Sequence, residues 1–182
     1  RDDISGFFAS LNKAKFCYEI SAQNFTRFNI SKVFNAHLRQ RFKVNFDVIN
    51  EVLVCVDEMV YNAFIHGTLG LSVEERALGH NDLQAVIHAK LDNPAIHARN
   101  LHIGLEIDNT DESIVISVED EGPGFDFTKW LDTVKSFQML DIKEHGRGLS
   151  LLYHLSDSLE FSNEGRKVTI RKSLLHTGKH EA

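Results

Sequence analysis

The sequence contains little cysteine, with only Cys17 and Cys55 among its 182 residues. Two cysteines at this spacing form neither a disulfide framework nor a zinc-binding pattern, so both of these classes are excluded. Each cysteine lies within an apolar pattern, and we predict that both are core thiols. This usage of cysteine favours a reducing compartment, and we therefore expect a cytoplasmic protein.

The sequence also lacks long hydrophobic runs and any excess of positive charge. No stretch approaches the roughly 18 apolar residues that a membrane span needs, and no signal peptide is visible. The net charge of -6 argues against nucleic acid or an anionic membrane surface as a partner. Because the chain begins at Arg1, we expect a processed product or a domain of a longer protein.

Hydrophobic residues make up 42% of the chain, which suits one globular domain with its own core. We predict a single domain over residues 1–175, with a helical insertion at 68–100 and a polar tail at 176–182. Alternation of apolar and polar residues predicts five short strands at 15–20, 101–107, 114–118, 158–161 and 167–172. The second and third strands form an antiparallel hairpin, as do the last two.

Helical spacing of apolar residues predicts the remaining elements. One amphipathic helix follows Asn24, which would be its N-cap, and a central helix opens near Asp47, which would cap it. The central helix is expected to stop at Gly67. Further helical patterns cover 71–78 and 81–91 in the insertion and 149–155 near the end of the chain.

The polar face of the central helix has an unusual composition. Glu58, Asn62 and His66 are spaced by four residues, so their side chains lie along one ridge. No lysine or arginine occurs between Glu51 and Gly67. A carboxylate, a carboxamide and an imidazole suit metal and water chemistry, although an ordinary amphipathic helix explains the same residues.

Two glycine motifs follow later in the chain. Asp120-x-Gly122-x-Gly124 ends a strand, where glycines let the backbone approach a flat ligand and a carboxylate can accept a hydrogen bond from an exocyclic amine. Gly146-Arg147-Gly148 opens a helix, whose first N–H groups bind phosphate. Taken alone, the first motif is also compatible with a capped Gly-Pro turn and the second with a simple loop.

The order and combination of these motifs resemble those of the GHKL ATPase superfamily, which includes histidine kinases, gyrase, mismatch-repair ATPases and anti-sigma serine kinases. Residues 58–67 look like the N box of that group, residues 120–125 like its first glycine box, and residues 145–149 like its second. The run Asn62-Ala-x-x-His66-Gly67 and the compact Gly-Arg-Gly-Leu are most similar to the anti-sigma factor serine/threonine kinase branch. The resemblance covers most of residues 16–174.

The resemblance implies a two-layer α/β sandwich of the Bergerat type, in which helices cover one face of a mixed, mostly antiparallel sheet. It also implies an ATP site. Asn62 would supply the protein oxygen to Mg²⁺, which takes few protein ligands. Glu58 would orient or deprotonate the attacking serine hydroxyl or water. Asp120 would bind the adenine amine.

The remaining site residues are also assigned by resemblance. Backbone at Gly122 and Gly124 would approach the base, and backbone at 146–149 would hold the phosphates; the nucleotide-binding residues implied here are Gly146, Arg147, Gly148 and Leu149. Lys143 or Arg147 would neutralise charge on the γ-phosphoryl group. His66 either packs at the helix end or contacts nucleotide. The family often has Gly-Thr where this chain has Gly165-Arg166, and Thr169 is a candidate substitute.

The function implied is an ATP-dependent protein serine/threonine kinase. It would phosphorylate a serine of an antagonist domain of the anti-anti-sigma type, bind a sigma factor, and exchange partners according to nucleotide state. A homodimer is compatible with that branch. The alternatives are the catalytic domain of a histidine kinase, for which the chain shows no acceptor histidine motif, and a nucleotide-sensing module without turnover.

Overall fold

Five antiparallel strands form one sheet in the computed structural model, which describes residues 6–7, 10–41, 44–128 and 147–175. The strands are β1 (Lys13–Ser21), β2 (Asn100–Asp108), β3 (Ser113–Asp120), β4 (Ser158–Ser162) and β5 (Lys167–Ser173). Their order across the sheet is β1-β2-β3-β5-β4, and each of these neighbouring pairs is antiparallel. All five strands predicted from alternation are present, and the predicted α/β class is confirmed as an α+β fold.

Helices lie between the strands. They are α1 (Ala22–Phe25), α2 (Ile30–Arg41), α3 (Phe46–Asn62), α4 (Val73–Arg76), α5 (His80–Leu91), α6 (Pro94–His97) and α7 (Arg147–Leu155). A π-helical turn, Ala63–Thr68, continues α3 directly, and a short 3₁₀ turn, Asn163–Gly165, joins β4 to β5. None of the helices in the described segments combines the length and the apolar character needed to cross a membrane.

The core forms between one face of the sheet and α3. Alternate residues of β2 and β3 point to this face, and the apolar stripe of α3 covers them. The fully buried side chains at the contact include Leu101, Ile103, Leu105, Ile116, Val118, Val52, Val56 and Met59. The polar face of α3 is thereby turned away from the sheet centre, toward α7 and the ends of β3 and β5.

Two predicted helix N-caps were wrong. The helix predicted to start at Asn24 begins at Ile30, because Asn29 caps it by accepting a hydrogen bond from the Lys32 N–H at 2.9 Å. The central helix is capped by Asn45, whose side chain accepts from the Asp47 N–H at 2.8 Å. Asp47 lies in the first turn instead, where its charge favours the helix dipole.

The two cysteines differ in environment. Cys55 is buried in the core, and burial raises the pKa of its thiol to about 12. Cys17 is exposed, so the prediction of two core thiols was wrong for this residue. Strand alternation explains the difference, because Phe16 and Tyr18 take the inner face of β1 and leave Cys17 on the outer face.

Candidate functional site

A cavity of about 840 Å³ opens between α3, the π-helical turn, α7 and the ends of β3 and β5. A volume of this size is typical of a small-molecule site. Seven residues predicted to form a nucleotide site lie together on its wall: Glu58, Asn62, His66, Asp120, Gly124, Gly148 and Leu149. Segments far apart in sequence therefore meet at one cavity.

At one end of the cavity Glu58 and Asn62 form a hydrogen-bonded pair. The Asn62 Nδ2 donates to Glu58 Oε1 at 2.8 Å, and both side chains are half-buried. This is the contact expected for residues spaced by four on one helix face. Since the amide nitrogen of Asn62 is turned to the carboxylate, the amide oxygen is the group left for another ligand.

The first turn of α7 lies directly against Glu58. A Cβ atom added to Gly148 would stand 1.5 Å from Glu58 Oε1, so only glycine leaves room for the carboxylate at this position. The two elements therefore share one surface of the cavity. The helix start of α7 and the carboxylate of α3 are brought together without any intervening side chain.

The π-helical turn connects this end of the cavity to the other. Its widened geometry is seen in the Leu69 N–H, which donates to the Phe64 carbonyl five residues earlier at 2.9 Å. Helical backbone thus continues to Thr68, so the expected stop at Gly67 was wrong. Gly67 serves a different purpose, because a Cβ there would lie 2.1 Å from the Asp120 carboxyl carbon.

Asp120 lines the cavity beside Gly67, toward the far end of the helical run that carries Glu58. Its side chain is buried, with 7% of its surface exposed, and Oδ1 accepts from the Gly122 N–H at 2.8 Å. Burial raises the pKa of this carboxyl group, while the Gly122 N–H and the charges of Arg166 and Arg99 act in the other direction. A buried acceptor with only one described hydrogen bond is suited to bind a donor group of a ligand.

A family model described as a histidine kinase-like ATPase domain matches residues 26–172. The chain belongs to this family. The match supports the GHKL-type ATPase superfamily and an ATP-binding function, and it does not separate the branches of the superfamily. No curated protein matches the chain at a significant level.

The cavity fits ATP and Mg²⁺ as ligands of a histidine kinase-like ATPase domain. Asp120 offers an acceptor at one end, and the amide oxygen of Asn62 offers a hard oxygen ligand at the other. The half-buried apolar side chains of Leu149 and Val168 on the wall provide a surface for a flat ring, and the buried Met59, Val118 and Leu152 lie behind them. Both chemical requirements are thus met by residues of this chain.

An aromatic cluster, which no sequence motif predicted, forms another part of the wall. Phe125 and Phe161 line the cavity, with ring centroids 5.5 Å apart and nearly perpendicular planes. Phe127 stacks on Phe161 at 5.2 Å. The only sequence signal was that Phe125 directly follows the first glycine motif, because Phe161 comes from the distant strand β4.

Other predicted residues are placed differently. Gly122 is buried beside the site, where a Cβ would lie 2.0 Å from the Gly67 carbonyl oxygen, and it does not line the cavity. Thr169 does not line the cavity either. Its neighbour Val168 lines the cavity, and Thr169, which pairs with Ser117, points to the opposite face of the sheet. Lys143 and Gly146 lie outside the described residues. Arg147 begins α7, and its side chain also lies outside the description.

Proposed function

We propose that this chain is an ATP-dependent protein serine/threonine kinase of the anti-sigma-factor type. Its substrate is a serine of an antagonist domain, and nucleotide state controls whether it holds that domain or a sigma factor. The observation that carries the proposal is the Glu58–Asn62 pair at the cavity end that Gly148 also lines. The pair is a half-buried carboxylate beside the amide to which we assign Mg²⁺, an arrangement that pure nucleotide binding does not require.

In the proposed reaction Glu58 accepts the proton of the substrate hydroxyl as the serine oxygen attacks the γ-phosphorus of ATP. The bond between this phosphorus and the bridging oxygen of ADP breaks, and ADP leaves. Asn62 holds Glu58 by its amide nitrogen and offers its amide oxygen to Mg²⁺. Mg²⁺ supplies neutralisation of phosphate charge when bound. Asp120 accepts a hydrogen bond from the adenine amine, and the cavity between them orients the nucleotide.

The test is incubation with γ-labelled ATP and Mg²⁺, alone and with a candidate antagonist domain. We expect label on a serine of the added domain. Acid-labile label on the protein itself would instead indicate a histidine kinase, and binding without label would indicate a sensing module. Either of these results would overturn the serine kinase proposal.

Two substitutions assign the roles of the paired residues. Glu58→Ala should leave ATP affinity within a few-fold and lower transfer by roughly 10²-fold or more, the usual scale for a general base. Asn62→Ala should abolish the part of ATP affinity that depends on Mg²⁺, as measured by calorimetry with and without the metal.

Asp57→Ala is the matched control for Glu58→Ala. Asp57 lies on the same helix, is exposed, and accepts a hydrogen bond from Ser31, outside the cavity. Its loss should leave transfer unchanged. Full activity in Glu58→Ala would remove the general-base role, and unchanged metal dependence in Asn62→Ala would remove the metal assignment.

A further inference from the structure

The insertion at 68–100 contributes a cation to the cavity. Arg76, the last residue of α4, lines the cavity wall together with Ala77. Its guanidinium group contacts both ring nitrogens of His66, with Nη1 3.3 Å from Nε2. The match to the family motifs gave this segment no role, yet it reaches the same cavity as Glu58 and Asp120.

Several interactions fix the position of α4. Ser72 and Glu75 form a capping box, in which the Glu75 N–H donates to Ser72 Oγ at 3.1 Å and the Ser72 N–H donates to Glu75 Oε2 at 2.7 Å. Glu75 also forms an ion pair with Lys90 of α5 at 3.4 Å. The Leu71 N–H donates to the Ile65 carbonyl at 3.0 Å, which ties the start of the segment to the π-helical turn. The backbone that carries Arg76 is therefore anchored on both sides.

Arg76 has no close counter-ion among the described residues, since its charge acts on the Glu74 carboxylate only from beyond ion-pair distance. Arg166, the other described arginine on the wall, donates from Nε to the Asn163 carbonyl at 3.0 Å and lies 3.5 Å from the Glu164 carboxylate. Within the described segments no carboxylate lies at ion-pair distance from Arg76, whose nearest polar partner is an imidazole ring. An arginine and a histidine side by side form a site for an anion.

The location of this pair along the cavity indicates which anion it binds. Glu58 faces Gly148 at one end, and Gly67 faces Asp120 at the other. His66 lies about two turns beyond Glu58 on the ridge that they share, close to Gly67, so its partner Arg76 stands toward the proposed adenine site and away from the proposed reaction centre. In a bound nucleotide, the phosphate next to the nucleoside is the α-phosphate.

We propose that Arg76, together with His66, binds the α-phosphate of the nucleotide, so that the insertion completes the ATP site. This inference rests on the ATP site of the proposed function. It makes Arg76 a binding residue for every adenine nucleotide, including those without a γ-phosphate. It also gives His66 a direct part in phosphate binding.

The experiment compares adenosine, AMP, ADP and ATP as ligands of the wild-type protein and of Arg76→Ala, by calorimetry. We expect Arg76→Ala to weaken AMP, ADP and ATP binding by similar factors of about tenfold or more, the scale of one charge-assisted contact. Adenosine affinity should be unchanged. Arg76→Lys should recover part of the loss, since it keeps the charge without the forked geometry.

Arg27→Ala is the matched control, because it removes the same type of side chain from an exposed position that does not line the cavity. It should change no nucleotide affinity by more than about twofold. Equal weakening of adenosine and AMP by Arg76→Ala would show a structural role and overturn the inference, as would a loss confined to ATP. If Arg76→Ala binds AMP and ATP as tightly as wild type does, the inference is overturned but the proposed ATP site is not. If the wild-type protein binds no nucleotide, both are overturned.

Discussion

At the scale of single residues, Asp120 has the most informative environment. Its carboxyl group is buried at the end of β3, and the Gly122 N–H is the one hydrogen-bond donor that the described residues direct to its side chain. Burial raises the pKa, so the folded protein holds the Asp120 proton more tightly than the unfolded chain does. Ionised Asp120 therefore lowers the free energy of unfolding. A buried charge that destabilises the fold is typical of a residue with a functional role.

We predict that Asp120→Asn raises the stability of the fold and lowers its affinity for ATP. The variant keeps a side-chain oxygen for the Gly122 N–H and removes the buried charge, so it should be more stable than wild type at neutral pH. It should bind ATP about ten-fold or more weakly, because an amide group replaces an oxygen acceptor for the adenine amine. Thermal unfolding and calorimetry measure the two effects.

The pH dependence supplies the control for this prediction. A raised folded-state pKa means that stability falls as pH rises through the pKa of the unfolded chain toward that of the folded protein. The advantage of Asp120→Asn should accordingly be present above the folded-state pKa and vanish below the unfolded-state pKa. A wild-type protein that gained stability relative to the variant with rising pH would contradict the raised pKa.

At the scale of elements, the contact between α3 and α7 controls the position of Glu58. Gly148 lies in the first turn of α7, and no other residue type fits against the carboxylate without displacing it. The obstructed atoms belong to the end of a flexible side chain and not to the backbone. A larger residue at 148 is therefore expected to move Glu58 and leave the fold intact.

We predict that Gly148→Ala folds with equal or greater stability, because alanine is favoured over glycine within a helix by about 1 kcal/mol. The displaced carboxylate loses its bond to Asn62 Nδ2, so phosphoryl transfer should fall by about 10²-fold. Single-turnover kinetics and urea unfolding measure these changes. Gly79→Ala is the control, since a Cβ there meets nothing within 4 Å. Normal transfer in Gly148→Ala would show that Glu58 has room to move without loss of function.

Elements with strong local patterns were predictable from sequence, and contacts between elements were not. Alternation located all five strands, and helical spacing located the ridge of Glu58 and Asn62. The start of α2 was missed because Asn24 and Asn29 are both credible caps, and the short helix α1 takes up the earlier one. The outward position of Cys17 was already implied by the alternation of its neighbours, which the apolar composition of β1 obscured.

The candidate site shows the same division. Motifs with fixed spacing identified seven residues on the cavity wall. Arg76 and Phe161 were missed because each comes from a segment whose own pattern indicates only a surface helix or an edge strand. Their contribution depends on how α4 packs against the π-helical turn and how β4 pairs with β5, and neither contact has a signal in a single sequence.

At the scale of the whole molecule, one buried ion pair joins three elements. Lys172 of β5 has only 2% of its side chain exposed, forms an ion pair with Glu51 of α3, and donates from Nζ to the Leu155 carbonyl of α7 at 2.7 Å. The positive charge lies at the C-terminal end of α7, where the helix dipole favours it. This residue therefore holds together the sheet and both helices that form the cavity.

We predict that Lys172→Met lowers the free energy of unfolding by about 3–5 kcal/mol, because it leaves the Glu51 charge and the Leu155 carbonyl without their described partner. The double variant Lys172→Met with Glu51→Gln should recover part of this loss, since no uncompensated charge remains. Urea denaturation of the single and double variants measures the coupling. If the losses of stability in Lys172→Met and in Glu51→Gln add up to the loss in the double variant, Lys172 acts through packing alone and the ion pair contributes nothing.

Because of the widened turn Ala63–Thr68, the geometry of the site depends on the number of residues between Asn62 and Gly67 as much as on which residues they are. A π-helical turn holds one residue more than ordinary helical geometry would use. Deleting that residue would restore the regular pitch and rotate one side of the junction by about 100° relative to the other. The Asn62 amide and the glycine that admits Asp120 would then face different directions. Natural variants of this chain should consequently tolerate exchanges of side chains in this turn far better than any change in its length.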